Sequence, residues 1–461
     1  METISLPKSF SSHVVAIPYP HRSHVNCMMN LCKSIASRRP NQVLITVIVT
    51  QEWLGYIGSE PMPYNICFAS IPNVIPPEHD KAADVSAFFE AAMRNMEAPS
   101  EELLAHLEPP VNAIVGDVEL GWPAAVANRR NIPVAVLWTM SARCYNITHQ
   151  LGVLAGNRSM DVDLLDEQEM SMRIPEMSSA ELSELRKFFH DTDLKFMQLS
   201  VECLSQVPKA NYLLLNTIQE LEPELIDFLK TKYPFPVFPI GPSIPFSELE
   251  ESHSTINGGH GAQYMNWLDS QPPRSVLYIA LGSFLSFSKT QMNEIVKALN
   301  NSGIRFFWVA RDDESWLKEK CGIRGLVVPW CDQFGVLNHS SIGGFWSHCG
   351  WISVMEAVFA GVPILTFPLW LDQVPNSKQV LEEWKNGWEI KRSEAGGDVV
   401  VKKQEIEEIV RRFMDLESKE SKEMRDKARE VQSILRQAIV KGGSSHANLD
   451  ELIRNISREE N

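Results

Sequence analysis

Residues 330–373 read WCDQFGVLNHSSIGGFWSHCGWISVMEAVFAGVPILTFPLWLDQ, a span of 44 residues. Gly350 stands just before a helical run from Trp351 through Glu356 to Ala360. A helix start flanked by glycine presents free backbone N–H groups, and these can hold a phosphate. Trp330, twenty residues upstream of Gly350, offers a flat face for stacking. The two features together point to a nucleotide diphosphate. Asp372 and Gln373 follow the apolar run Pro363-Ile364-Leu365-Thr366-Phe367. That places them at the C-terminal end of a strand, where an open α/β sheet has its ligand crevice and where they can hydrogen-bond sugar hydroxyls.

The same alternation of apolar strand and helix extends through the chain. Residues 13–18 read as a buried strand, 25–38 as a helix and 43–50 as a β-branched strand, which makes a βαβ opening. Apolar strands recur at 113–115, 134–137 and 212–215, with helical stretches between them, as a doubly wound parallel sheet requires. A stretch rich in Pro, Ser, Glu, Gly and His, 242–261, interrupts the pattern and reads as a linker. A second series then follows, with strands at 276–281, 305–309, 326–328, 342–346 and 363–367 and helices at 289–301, 333–338 and 351–360. The charged segment 402–441 has helical spacing, and Gly442-Gly443-Ser444-Ser445 breaks it before a last short helix. The expectation is an α/β protein of two Rossmann-like domains, 1–241 and 262–445, with residues 446–461 as a terminal helix.

With 461 residues the chain is long enough for about two cores. Forty-three basic against 58 acidic residues give a net charge of −15, which disfavours nucleic acid and anionic lipid as partners. Eight cysteines, at 27, 32, 67, 144, 203, 321, 331 and 349, show no paired metal-ligand spacing, so reduced thiols in a cytoplasmic protein are expected. No stretch approaches the ~18 apolar residues of a membrane span, and residues 1–10 lack a signal-peptide core. The triplets from Asn146 and Asn338 therefore read as chance rather than as glycosylation sites. No Gly-x-Gly-x-x-Gly follows either first strand, which argues against a nicotinamide oxidoreductase.

The 330–373 segment resembles the signature box of the plant family 1 UDP-glycosyltransferases. That box begins at Trp, contains His-Cys-Gly-Trp-Asn-Ser and ends in Asp or Glu followed by Gln. The likeness continues at 239–242 (Pro-Ile-Gly-Pro), 267–272 (Trp-Leu-Asp-Ser-Gln-Pro) and 279–283 (Ile-Ala-Leu-Gly-Ser). It implies the GT-B fold, two Rossmann-like domains facing across a cleft, with the first binding the acceptor and the second the UDP-sugar. It also implies that the final helix packs back on the first domain. The activity implied is inverting, metal-independent hexosyl transfer from UDP-glucose to small lipophilic plant metabolites. No cofactor beyond that donor is implied, and a monomer is expected.

Such a transfer needs a base for the acceptor's proton and stabilisation of departing UDP. The first strand ends in Pro18-Tyr19-Pro20-His21-Arg22-Ser23-His24, and the family pattern there, Pro-Phe-Pro-x-x-Gly-His, puts His24 at the catalytic position. Ser23 replaces the usual Gly and Cys27 the usual Pro, while His21 reads as a solvated loop residue. A carboxylate on the second imidazole nitrogen fixes the tautomer, and Asp117 follows the strand at 113–116 where the family has Asp. Glu119 can do the same from the opposite face of the chain, but reads as a solvated loop carboxylate. By the resemblance, Trp330 and the backbone of Cys331 meet uracil, and Gln333 and Glu356 bind ribose. His348, Ser353, Ser283 and the opening N–H groups of the helix at 351 hold the phosphates. Trp351, Asp372, Gln373 and Thr139 approach the hexose, with Gln373 favouring glucose.

Ile352 departs from the family's Asn and removes one donor, which costs donor binding ~1–2 kcal/mol and implies weakened rather than abolished activity. The different class of function is a catalytically weak or inert binding protein that retains the fold. The triplets Asp161-Val162-Asp163 and Asp191-Thr192-Asp193 read as loop or cap residues rather than metal ligands. Phe88, Phe89, Trp138, Phe188 and Phe189 are candidates for an apolar acceptor lining.

Overall fold

The computed structural model describes residues 10–58, 61–77, 84–155, 170, 182, 193–245, 260–282, 288–310, 314–391 and 400–457. The chain divides into two compact units, one of residues Met1–Ile244 with Ala438–Asn461 and the other of Pro245–Gln437. Residues 246–259, inside the stretch expected as linker, lie outside the described residues.

The first unit is built on strands β1 (Ser12–Ile17), β2 (Val43–Thr50), β3 (Ile66–Ile71), β4 (Ala113–Asp117), β5 (Val134–Trp138), β6 (Tyr212–Leu215) and β7 (Val237–Pro239). They lie in the order β3-β2-β1-β4-β5-β6-β7, and every neighbouring pair is parallel. All eight residues of β2, Val-Leu-Ile-Thr-Val-Ile-Val-Thr, are buried. Parallel sheets carry helices on both faces, so their inner strands are continuously apolar rather than alternating. The chain runs outward from β1 to β3, returns, and runs the other way from β4 to β7. The strand order therefore reverses between β1 and β4, and the loops leaving those two strands are the ones that meet a ligand in such a sheet.

The second unit repeats the plan with β8 (Val276–Ala280), β9 (Arg305–Val309), β10 (Gly325–Val328), β11 (Ile342–Ser347), β12 (Ile364–Thr366) and β13 (Gly387–Glu389). Their order is β10-β9-β8-β11-β12-β13, again all parallel, so the reversal falls between β8 and β11. Phe306, Trp308, Trp346 and Phe413 fill its core. The charged segment 402–441, with its helical spacing, forms two helices, Lys403–Met414 and Lys419–Ile439. The break has a local cause, because the Asp415 side chain accepts from the Glu417 N–H (2.9 Å) in place of a helical bond.

The last helix, Ser444–Ile456, belongs to the first unit. Ser445 Oγ donates to the Gly241 carbonyl (2.7 Å), Asn448 donates to the Pro239 carbonyl (2.9 Å), and Arg38 pairs with Asp450 (2.7 Å). Leu449, Leu452, Ile453 and Ile456 form its buried face.

Candidate active site

In the first unit the reversal between β1 and β4 brings two loops together. The loop after β1 leads into the helix Arg22–Arg38, and His24 sits in its first turn, largely buried. Its Nδ1 lies 2.8 Å from Asp117 Oδ2, at the end of β4. The Asp117 carboxylate also accepts the backbone N–H of Tyr19 at Oδ2 (3.2 Å) and that of Glu119 at Oδ1 (3.0 Å). These bonds fix the carboxylate, which in turn fixes the imidazole with its Nδ1 protonated. Thr139, just after β5, presents its hydroxyl 3.2 Å from the same Nδ1, and its carbonyl accepts from Asn216 (3.0 Å).

Glu119 differs from the sequence expectation of a solvated carboxylate. It is buried, and its Oε2 stands 3.4 Å from His24 Nε2. The cause is the single 3₁₀ turn Val118–Leu120, which Asp117 caps through the Glu119 N–H and which ends at Gly121 in the left-handed region (φ 73°). Glycine is suited to that backbone. His24 is thus flanked by a carboxylate on each ring nitrogen.

The residues packed around His24 are largely aromatic. The Tyr19 ring meets His24 edge-on at 5.1 Å and packs on Phe88 and Phe89 at 6.2 and 5.4 Å. Burial, then the charges of Glu119 and Asp117, push the Tyr19 hydroxyl well above its ordinary range, so it stays a neutral phenol. Phe88, Phe89 and Trp138 are core residues rather than an open lining, with Trp138 held by a bond from its indole N–H to the Ser141 carbonyl (2.9 Å). Phe188 and Phe189 lie outside the described residues. His21 bonds Ser23 Oγ (2.8 Å), and burial raises the Cys27 thiol far above its ordinary value, so it is no nucleophile.

In the second unit, Trp330 follows β10 and is 57% exposed. Cys331 is buried, its thiol pushed up to about 12 by desolvation. Gln333 opens a short helix, Gln333–Leu337, and its amide donates to Glu356 Oε2 (2.6 Å) and to Ser353 Oγ (2.9 Å). The Tyr278 hydroxyl donates to Gln333 Oε1 (3.1 Å). Sequence reasoning missed Tyr278, because a tyrosine in the middle of an apolar strand carries no signal beyond its burial. Burial raises Glu356 to about 7, with the Gln333 bond pulling the other way and Asp332 adding to the rise.

The second reversal point holds His348. Its ring sits between Gly282, at φ 90°, and Gly350. A Cβ at Gly282 would come within 3.2 Å of the ring and one at Gly350 within 2.7 Å of Nε2. Burial lowers His348 to about 4, so it is neutral at physiological pH. Cys349 next to it holds φ 69°, its N–H bonded to Ser347 Oγ (3.0 Å) and its carbonyl to Asn376 Nδ2 (3.0 Å).

The helix Trp351–Ala360 then starts at Gly350 without a side-chain cap. Ile352 and Ser353 on its first turn are half-buried, while the Trp351 ring is turned inward, 6.1 Å from Trp384. Asp372 accepts from Asn376 (2.9 Å). Gln373 accepts the N–H groups of Leu369 (2.9 Å) and Trp370 (3.2 Å) on its amide oxygen, which turns the NH2 end away from them. Ser283 lies outside the described residues, as do Asp161, Asp163 and Asp191. Asp193 caps the helix Leu194–Ser205 through the Phe196 N–H (2.8 Å). Among the described residues no cluster of three or more His, Cys, Asp or Glu is arranged to hold a metal, and no helix is long and apolar enough to cross a membrane. All eight cysteines are free.

Residues 110–395 match the family model described as UDP-glucoronosyl and UDP-glucosyl transferase. The chain is 43% identical to UDP-glycosyltransferase 87A2 of Arabidopsis thaliana, over 99% of this chain and 99% of that protein. It is 44% identical to UDP-glycosyltransferase 87A1 of the same plant, over 96% of this chain and 100% of that one. Among solved structures it is similar to Os79 from O. sativa, both in complex with UDP (25% identity) and in complex with U2F and trichothecene (26% identity). Each of these two has a TM-score of 0.79 and covers 96% of this chain and 100% of that one.

Proposed function

Because this chain belongs to the UDP-glucoronosyl and UDP-glucosyl transferase family, and is accordingly an inverting, metal-independent UDP-glycosyltransferase, we propose the following reaction for it. It transfers glucose from UDP-glucose to a hydroxyl of a small lipophilic acceptor, giving a β-glucoside. His24 Nε2 takes the acceptor's proton as the oxygen attacks the anomeric carbon, and the bond from that carbon to UDP breaks with its electron pair going to the phosphate oxygen. Asp117, 2.8 Å from Nδ1, stabilises the imidazolium that forms. This contact is the observation that carries the reading.

On the donor side, the face of Trp330 would stack on uracil, and Glu356 with Gln333 would take the ribose hydroxyls. The uncapped start of the helix Trp351–Ala360 would receive the growing phosphate charge. The lean to glucose rests on Gln373, whose NH2 end is free of the backbone bonds that occupy its oxygen. The small-molecule acceptor rests on the trichothecene complex of the similar Os79. A cytoplasmic setting fits eight free thiols.

The test is UDP release and product mass with UDP-glucose and a panel of phenols and terpenoid alcohols. His24→Ala is expected to lower turnover at least about a hundredfold, the lower end of what a general base supplies. UDP affinity, read by calorimetry, should stay close to that of the unaltered protein. A variant that keeps more than about a tenth of turnover removes His24 from the mechanism. No UDP release with any acceptor points instead to a binding protein.

A further inference from the structure

Asn216, the first residue beyond β6, is fully buried, and a buried amide is costly unless its ends are bonded. Its Nδ2 donates to the Thr139 carbonyl (3.0 Å), and its Oδ1 accepts the Ser243 N–H (2.7 Å). One of these partners can only accept and the other can only donate, so the direction of the amide is fixed. The backbone N–H of Asn216 bonds the Trp138 carbonyl (3.0 Å), which carries the pairing of β5 with β6 one step past the strands. Asn216 thus holds both peptide groups that flank Thr139. Ser243 ties the same knot to the helix Arg22–Arg38, which carries His24. Its carbonyl accepts from Asn30 (3.1 Å) and its hydroxyl meets the Cys27 thiol, both on that helix. A Cβ at Gly241 would come within 2.5 Å of the Asn216 backbone, so the segment holding Ser243 lies directly on Asn216. Beyond Thr139, Glu222 accepts the N–H groups of Ala142 (3.0 Å) and Arg143 (2.8 Å) and holds the start of the helix Ala142–Ala155.

Resting on the reading of His24 as the base, we propose that Asn216 is a positioning residue for that base, acting through Thr139. By fixing the two peptide groups of Thr139 it sets the Thr139 hydroxyl 3.2 Å from His24 Nδ1, beside the 2.8 Å contact of Asp117. A ring held by one bond can swing about it, and a second oxygen at the same nitrogen limits that swing. The aim of Nε2 at the acceptor's hydroxyl then depends on the loop after β6. A displacement of order 1 Å in such a geometry costs up to about a hundredfold in rate, and the loss of one restraint is expected to cost about tenfold.

The experiment measures kcat and KM, with UDP-glucose as donor, for a terpenoid alcohol and for 4-nitrophenol. Asn216→Asp keeps an oxygen for the Ser243 N–H and sets a second oxygen, in place of the donor, against the Thr139 carbonyl. Its kcat should fall about tenfold with the alcohol but within about threefold with 4-nitrophenol, whose acidic proton needs little help from a base. KM for UDP-glucose should stay within about twofold. In a Thr139→Val background, which has no hydroxyl to position, the same substitution should change kcat by less than about twofold. Asn216→Ala carries the same comparisons if the Asp variant does not fold, and loss of folding in both overturns the proposal. So does a full loss that persists in the Thr139→Val background, an equal loss on the two acceptors, or an unchanged kcat with the alcohol. Failure of the underlying reading looks different. In that case His24→Ala retains transfer to the alcohol, whereas an inactive His24→Ala beside unimpaired Asn216 variants removes only Asn216.

Discussion

Glu356 is a buried carboxyl at about 7 that accepts from the neutral amide of Gln333 and faces the negative charge of Asp332. Its raised value means the native state holds the proton more tightly than the unfolded chain does. Its stabilising contribution is therefore present below the ordinary value of 4.5 and lost as the pH rises through about 7. On the proposed donor site ligand affinity should run the other way, because a carboxylate would accept from two adjacent ribose hydroxyls better than the protonated acid does. UDP binding should tighten as pH rises from about 6 to about 8 more steeply in the unaltered protein than in Glu356→Gln. Calorimetric titration of both checks this, with the Gln variant removing the phosphate's own titration from the comparison. Equal slopes would assign the whole pH dependence to the nucleotide.

At the scale of single residues, legibility followed locality. That His24 and Asp117 come close was expected from the family pattern, and the pairing of β1 with β4 is the physical reason for it. Glu119 was misread for a reason equally physical. Two residues past a strand a carboxylate is usually solvated, and only the capped turn ending at Gly121 brings it back to the imidazole. Tyr278 was unreadable because its hydroxyl matters through Gln333, 55 positions away in sequence.

Among elements, the inner strands were plain in the sequence and the edges were not. β2 is buried along its whole length and reads as an unbroken apolar run. β3 is buried only at its two ends, and β13 has three residues, so neither offers a sustained pattern. The helix Trp351–Ala360 is the element on which most of the donor proposal depends, and its start is tightly specified. A Cβ at position 350 would stand 2.7 Å from His348 Nε2, so alanine there must displace the ring or the turn. Gly350→Ala should weaken UDP binding by about tenfold, since a shift of the helix start costs at least one bond to a charged group. Tritration of UDP against the variant measures it, and unchanged affinity would mean that neither His348 nor this turn holds the phosphates.

For the whole molecule the informative fact is connectivity. The first unit is assembled from both ends of the chain, with the second inserted between them. Leu452, at the centre of the last helix, is fully buried in that first unit. Leu452→Ala should destabilise it by about 2–5 kcal/mol, the usual result of emptying a core leucine. Denaturant unfolding followed by tryptophan fluorescence reads the loss, and UDP affinity should change little because Trp330 and Glu356 belong to the inserted unit.

The docking of residues 444–456 on Pro239, Gly241 and Arg38 has a further consequence for how the molecule can be divided. Expressed as two separate polypeptides broken between residues 245 and 260, the halves would not be strangers. The second would still carry, at its far end, a key cut for a lock on the first. Reunion would then become a matter of concentration, and the missing stretch of backbone a tether rather than a requirement.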